Sequence, residues 1–538
     1  MPRSLWWIKQ DFRLHDNPAL TAALDGDADV LPVFLFEPAV LGSPETSAFH
    51  VAAWAEALAD VRTRLGGHVL AVHGDAVETL ARLHATVPFE AIHSHEEIGT
   101  RVTFERDRAV AAWCAAAGVA WTEYRQTGVF RGGLDRDKRA KRWAAFMAEG
   151  VLPAPAARDL ARVVVPDAAR ALEVTGEITP GAFGDALSDA QRALRQPVSE
   201  TAAAETLASF LGKRGRGYAG GISSPNSAFE AGSRLSVHLA WGTTTGRAVY
   251  AATEVRQAEA KGMHPGDAAQ WSKSLRSFKS RLHWRDHFTQ RLETDPAMEF
   301  EPLNAAYADL PTPGDEHLAA WLAGQTGWPL VDACMRCVAQ TGFLNFRMRA
   351  FVTSAAVHSL RMDWRTTLAP TARLWADYAP GIHVAQTQMQ AGVVGINQLR
   401  VYSPDKQLAD QDPDALFVKR WVPELDSATP EAIRAHTAGT PVPGYVAPAV
   451  DWAASSRAMQ ADYYAVKKRP ETQALAEAVY QRHGSRLAPS ARTWGPKKRL
   501  PNGPAPRGMS VPTGDVPVFA PRAGERRIVR PAGSGNEA

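Results

Sequence analysis

Between Thr326 and Leu425 the chain concentrates tryptophan, arginine and phenylalanine in four short blocks. They read TGWPLVDACMRCVAQTGFLNFRMR from Thr326, DWR at Asp363 to Arg365, WADYAPG at Trp375 to Gly381, and FVKRWVPEL at Phe417 to Leu425. Each reads as a helix or helix end, and flat aromatic faces beside guanidinium donors suit a planar anionic ligand. A second candidate is Gly232-Ser233-Arg234-Leu235-Ser236, which precedes the helical run His238 to Trp241. Backbone N–H groups at a helix start, with hydroxyls beside them, suit a phosphate; a capped helix without ligand accounts for the same residues. A third is SKSLRSFKSRLHWR, Ser272 to Arg285, with five Lys or Arg and no acid. Leu275, Phe278 and Leu282 recur at helical spacing, so they predict one apolar stripe with the cations on the remaining surface. Trp284 offers a stacking face and Arg285 a donor to phosphate or carbonyl; a solvated basic face is the alternative reading.

The elements that must position these residues fall into two kinds. Leu5 to Ile8, Val30 to Phe36 and Val69 to His73 are apolar runs of strand length, separated by helical patterns at Ala19 to Leu24, Ala48 to Leu65 and Ala76 to Leu83. That alternation predicts a parallel, Rossmann-like sheet with right-handed crossovers, and Asn17-Pro18 makes a good helix start. The dinucleotide glycine fingerprint is absent, so no dinucleotide need bind there. Residues 131–199 loosen into an Ala-, Pro- and Asp-rich connector with short helices. From about Glu200 to Tyr480 helical periodicity dominates, which predicts an all-helical second domain. Arg482 onward carries eleven Lys or Arg against three Asp or Glu. It lacks the apolar residues for a core and reads as a basic disordered tail.

With 538 residues and 45% apolar content the chain can bury more than one core. Its net charge of +3 names no nucleic-acid partner by itself. Three cysteines suggest a reducing compartment, the cytoplasm, and no run approaches a membrane span. Cys334 and Cys337 form a CxxC, but a cluster or zinc needs two further ligands, so two buried thiols one turn apart is the expectation and no metal is assigned.

The four blocks, with the opening LWWIKQDFRLHDNPAL at Leu5 to Leu20, resemble the photolyase/cryptochrome family over roughly residues 5–480, as a divergent bacterial-type, photolyase-like member. The resemblance implies domains at 1–130 (α/β, antenna-type), 131–199 (connector), 200–481 (helical, FAD-binding) and 482–538 (tail). It implies FAD as cofactor and leaves room for an antenna chromophore of unassigned identity. Gly232 to Ser236 then match the segment that cradles the flavin pyrophosphate, with Gly232 replacing the family's Thr, and Tyr218 matches an upstream phosphate contact. Phe278 stands among the cofactor-binding residues. Arg349 and Asp377 match an ion pair beside the isoalloxazine, with Tyr378 and Ala379 completing a segment of which only the first Asp survives. His383 falls where the family places an Asn or Asp near flavin N5; plain pocket lining is the first reading, and the other is proton exchange with N5 by an imidazole whose pKa lies near neutrality.

Other positions depart from the family. Trp284-Arg285 match a pair facing the flipped lesion, but Arg281 stands where dimer-repairing photolyases carry Glu. It is left either to stabilise a developing radical anion or to pair with phosphate. Phe346 and Ala350 replace the two histidines that six-four repair requires. Trp364 matches the middle of a three-tryptophan electron relay whose other positions fall at Thr387 and Pro311, so the route passes elsewhere, with Trp375 and Tyr402 as candidates. Gln386, Gln388 and Gln390 are expected to line the cavity. The resemblance implies a monomeric, blue-light-driven enzyme that repairs pyrimidine dimers in damaged DNA by electron transfer from reduced flavin. The alternative is a cryptochrome-like sensor without repair activity.

Overall fold

The computed structural model describes residues 3–132, 134–174 and 186–484. Five parallel strands, β1 (Arg3–Ile8), β2 (Asp29–Phe36), β3 (Leu70–His73), β4 (Ala91–His95) and β5 (Ala120–Tyr124), form one sheet in the order β3-β2-β1-β4-β5. Helices α1 (Pro18–Ala23), α2 (Ala48–Arg64), α3 (Ala76–Thr86) and α4 (Arg101–Ala117) make the crossovers. β1 alternates faces: Leu5 and Trp7 pack with Leu80, Leu83 and Cys114, while Trp6 and Ile8 pack with Ala57 and Leu58. The sequence expectation named β1, β2 and β3 but not the last two strands. AIHSH and AWTEY carry no continuous apolar run, and β5 lies at the sheet edge with one face wet. Asn17 caps α1 by accepting from the Leu20 N–H at 2.9 Å, with Pro18 in the first turn as expected.

The connector carries α5 (Arg139–Ala148), and Val163 adds a parallel bridge to Val30. Among the described residues the rest of the chain is helical. Its helices include α6 (Ser236–Ala240), α7 (Gly246–Ala260), α8 (Pro265–Thr294), α9 (Pro329–Thr341), α10 (Phe346–Ser354), α11 (Trp364–Ala372), α12 (Pro380–Ala391) and α13 (Pro470–His483). A core of Trp321, Trp328, Met335, Phe351 and Phe417 holds this half together, and Cys334 and Cys337 pack inside it as free thiols. The basic tail lies outside the described residues from residue 485 onward.

The loop after β1 docks the two halves. Val237, Ala240 and Trp241 of the helical half complete the apolar layer on Trp6 and Ile8. Gly242 has φ +67°, and a Cβ there would lie 1.8 Å from the Gln10 carbonyl oxygen, so no side chain fits. Asp16, 1% exposed, accepts from Arg247 Nη2 at 2.6 Å and Thr245 Oγ1 at 2.5 Å, both on the other side of the joint. Burial opposes ionisation of Asp16, but the Arg247 and Thr245 bonds outweigh it and hold the carboxyl below its usual range.

Removing Asp16 leaves the buried Arg247 only the exposed Glu149 carboxylate, 2.9 Å from Nη1. Asp16→Ala should therefore lower the unfolding free energy at pH 7 by about 3 kcal/mol, the low end of the cost of breaking a buried pair. Because the folded pKa is depressed, this stabilisation is present above the unfolded carboxylate pKa and is lost as pH falls through the folded value. Urea unfolding of wild type and variant should therefore differ at pH 7, with the gap starting to narrow only below about pH 4 and closing below the depressed folded pKa; a gap independent of pH would refute the ionic account.

Candidate cofactor and substrate site

Gly232 ends one short helix and Ser236 begins α6, so residues 232–236 form a turn between two helices. Leu235 is fully buried and anchors it, while Arg234 takes φ +62°. Arg214, which the sequence reading missed, grips the turn by donating to the carbonyls of Gly232 and Ser233. The Arg234 guanidinium lies 3.9 Å from the Phe343 ring and donates from Nε to Gln196 Oε1 at 3.1 Å. Its Nη1 is buried with no hydrogen-bond partner among the described residues. Burial pulls its pKa down to about 10, with Asp377 pulling the other way, so it stays a cation at neutral pH. A buried cation with an unmet donor beside a polar turn fits an oxyanion such as a pyrophosphate. His238 sits behind it, 2.9 Å from Thr243 Oγ1, and burial lowers its pKa to about 4.

Arg349 and Asp377 form the ion pair expected from sequence. Nη2 donates to both carboxylate oxygens, at 2.8 and 2.9 Å, and Nε donates to the Leu344 carbonyl at 2.7 Å. The guanidinium lies over Trp375 at 4.4 Å, which fixes its plane. Tyr378 stacks on His50 at 5.5 Å, and His383 meets the Tyr378 ring edge-on at 5.6 Å. His383 Nε2 lies 2.9 Å from the Leu368 carbonyl, so that nitrogen carries the proton. Burial lowers the His383 pKa to about 4, with the Leu368 bond opposing the shift. Burial thus moves the ring off the near-neutral value of a free imidazole, so it is not poised to gain a proton at pH 7. Ala379 and Gly381 line an interdomain pocket with Gln10, Glu96 and Leu239.

The stripe on α8 is buried as its spacing predicts. Phe278 and Tyr218 belong to a three-ring cluster with Phe210, at centroid separations of 4.7 to 5.6 Å. The Tyr218 hydroxyl bonds to Arg281, and burial pushes its pKa up to about 12. Arg281 in turn lies 4.4 Å over Phe346, whose ring is 44% exposed. Trp284 stacks on Phe288 at 5.6 Å. Arg285 faces elsewhere: it donates to Leu239 O at 2.7 Å and Asp286 at 3.1 Å and lines the interdomain pocket. The expected Trp284–Arg285 pair is therefore split, because consecutive helix residues point about 100° apart.

Trp364 starts α11, packed with Tyr307, Val357 and Tyr463 beside a small pocket that Pro311 and His358 also line. A row of rings that sequence did not reveal reaches Tyr378 from the other side. Trp54 meets Trp241 at 5.5 Å, Trp241 meets His50 at 5.3 Å, and His50 stacks on Tyr378. These residues lie far apart in the chain, so no local pattern marks them. Gln388 spans Leu303 N, Met298 O and Glu301 O, a structural brace in place of the expected cavity lining.

Two sequence families match: DNA photolyase over residues 4–139 and the FAD-binding domain of DNA photolyase over residues 278–465. The chain is 27% identical over 455 residues to cryptochrome DASH of Gloeobacter violaceus, covering 80% of this chain and 87% of that one. It is 28% identical over 460 residues to the deoxyribodipyrimidine photo-lyase of Halobacterium salinarum, covering 80% and 91%. In fold it is similar to a class III photolyase from Agrobacterium tumefaciens, with TM-score 0.73, 23% identity and 87% and 98% of the two chains covered. The Synechocystis cryptochrome gives TM-score 0.74 at 21% identity, covering 86% and 99%. The chain belongs to the photolyase/cryptochrome family, and FAD is its cofactor.

Arg349→Ala leaves the Asp377 carboxylate, 7% exposed, without its partner, a loss of about 3–5 kcal/mol. The purified variant should carry well under half the wild-type FAD, read from the ratio of flavin to protein absorbance. Full FAD occupancy would show that the pair does not support the cofactor.

Proposed function

We propose that this protein is a light-driven DNA-repair flavoprotein that acts on pyrimidine dimers. The observation that carries the reading is the single face of α8 that sets exposed cations beside aromatic faces. Lys273, Arg276 and Arg281 are exposed there, and Trp284 and Phe346 supply the rings. Cations neutralise backbone phosphates and rings stack on an extruded base. Residues 232–236 with Arg234 would hold the pyrophosphate of FAD, and Arg349, Asp377 and His383 would flank its ring system. When bound and reduced, FAD supplies the light-excited electron donor. Arg349 holds positive charge beside that region while Asp377 fixes its orientation. His383 keeps its proton on Nε2 toward Leu368. Phe288, Val384 and Ala385, packed behind Trp284, exclude water from this side of the site.

The second reading is a blue-light sensor without repair activity. It is favoured by Arg281 in place of the lesion-facing carboxylate and by the ring row from Trp54 to Tyr378, which leads toward the joint between the two halves. Illumination of pre-reduced protein with dimer-bearing oligonucleotide separates the readings: repair is expected, and its absence under reducing conditions favours the sensor.

Stacking contributes about 1–3 kcal/mol per base, so Trp284→Ala should cost roughly 5–150-fold in dark affinity for damaged DNA. It should leave intact DNA almost unaffected, as measured by fluorescence anisotropy. Arg281→Ala should instead weaken both DNAs and reduce the salt slope by about one. Equal losses on both DNAs from Trp284→Ala would remove it from base recognition.

The electron route is tested separately. Trp364→Phe should retain most flavin photoreduction, because its partner positions hold Thr387 and Pro311, whereas Trp241→Phe should slow it severalfold by breaking the row from Trp54. Complete loss in Trp364→Phe with FAD still bound would make Trp364 obligatory.

A further inference from the structure

On the side of α8 that faces the connector, three arginines and three histidines converge with little counter-charge. Arg136 Nη2 donates to His287 Nδ1 at 2.6 Å, and Arg139 Nη1 lies 3.2 Å from His283 Nε2. Arg136 also donates to the carbonyls of His483 and Gly484 at the end of α13, so the connector, α8 and α13 meet here. Arg139 is 3% exposed, Arg291 4% and His287 2%. Arg139 Nε and Nη2, Arg291 Nε and Nη1, and His287 Nε2 are all buried without a hydrogen-bond partner among the described residues.

The nearby carboxylates are committed elsewhere. Asp286 accepts from Gly128 N at 3.0 Å, Trp143 Nε1 at 2.9 Å and Arg285 Nη1 at 3.1 Å. Asp295 faces His483 at 3.5 Å and Arg482 at 3.4 Å. Burial draws both Arg139 and Arg291 down to about 10, which leaves them charged at neutral pH. His287 is held neutral, first by burial and then by the surrounding arginines. With Nδ1 accepting from Arg136, its proton sits on Nε2, an N–H donor with no acceptor among the described residues.

Guanidinium groups buried without acceptors are costly, and a protein retains them where a ligand supplies the acceptors. Every unmet group here is a donor, so the ligand is acceptor-rich and anionic. Arg forks match tetrahedral oxyanions. We propose that α5, α8 and the end of α13 enclose a phosphate-class oxyanion site, held by Arg139, Arg291 and the His287 Nε2–H, that takes free phosphate or a small phosphomonoester. It shares no residue with the 232–236 turn and does not depend on the repair reading. A ligand there bridges the connector to the helical half, a stabilising role distinct from DNA contact.

The test uses the full-length, FAD-bound protein in phosphate-free buffer, so that FAD fills its own cradle. Orthophosphate, a nucleoside 5′-monophosphate and a short single-stranded oligonucleotide are titrated separately by calorimetry, with thermal unfolding alongside. One orthophosphate or monophosphate per chain is expected, with a saturable rise in Tm. Arg139→Gln and Arg291→Met should each weaken that binding at least tenfold while flavin absorbance is retained. Arg291→Lys, which keeps the charge but not the fork, should fall between. Without phosphate, Arg291→Met should melt no lower than wild type, since it removes an uncompensated buried charge. Absence of saturable phosphate binding, or binding unchanged in both arginine variants, overturns the site. Binding of the oligonucleotide but neither small phosphate also overturns it and assigns the cluster to DNA.

Discussion

The close approach of α12 to α8 is the constraint on which the rest of the site depends. At Gly381 a Cβ would lie 2.6 Å from the Thr289 Cα, so the two helix backbones touch and no larger residue is admitted. That contact sets Ile382, Val384 and Ala385 against Trp284 and Phe288 in one apolar cluster. The same contact sets His383 and, through the preceding turn, Asp377 at a fixed height relative to Trp284 and Arg281. Separating the two helices would move Asp377 and His383 away from Trp284 and Arg281, the two groups that the proposed function assigns to cofactor and substrate. The glycine is uncommon in a helix interior for entropic reasons, and here it occupies the first turn, where the cost is smaller.

Buried charge divides this protein into two regimes. Where guanidiniums are satisfied internally, they hold the architecture: Arg247 on Asp16 ties the sheet to the helices, and Arg106 is surrounded by Glu37, Glu97 and Asp107 at one end of the sheet. Those contacts are worth little as net attraction, yet breaking one leaves its partner uncompensated. Where guanidiniums keep buried N–H groups without acceptors, as at Arg234, Arg139 and Arg291, folding alone does not account for them. An unmet N–H alone does not mark a ligand-facing group, since ion-paired arginines such as Arg195 and Arg361 also keep one. Arg139 and Arg291 differ in having two unmet N–H groups each and no carboxylate partner among the described residues.

Two polar side chains of this half are fixed by specific contacts. Arg281 bonds the Tyr218 hydroxyl and covers Phe346, so this cation is locked between a phenol and an exposed ring. His383 is neutral at pH 7 because it is buried, and its Nε2 proton is already committed to Leu368. Both features set the local charge distribution on this side of the helical half, beside the Arg349–Asp377 pair.

Much of this was legible in the residues themselves. The apolar runs of β1, β2 and β3, the Asn17-Pro18 helix start, the stripe of Leu275, Phe278 and Leu282, and the block order from Thr326 to Leu425 all express local periodicity or short motifs. Local backbone geometry enforces these whatever surrounds them. Arg349 and Asp377 could be paired in advance because a family pattern encodes their register. Other features had no local signature. Trp54, His50, Trp241 and Tyr378 meet only because the sheet docks on the helices, and Arg285 turns from Trp284 into the joint because Leu239 and Asp286 lie there. The arginines around His287 come from the connector and α8, and their missing acceptors become visible only once burial is known. Residue type and spacing determined which groups could do chemistry. The tertiary structure alone decided which of them are desolvated, which are paired and which still require a partner, because desolvation and long-range contact depend on the whole packed chain.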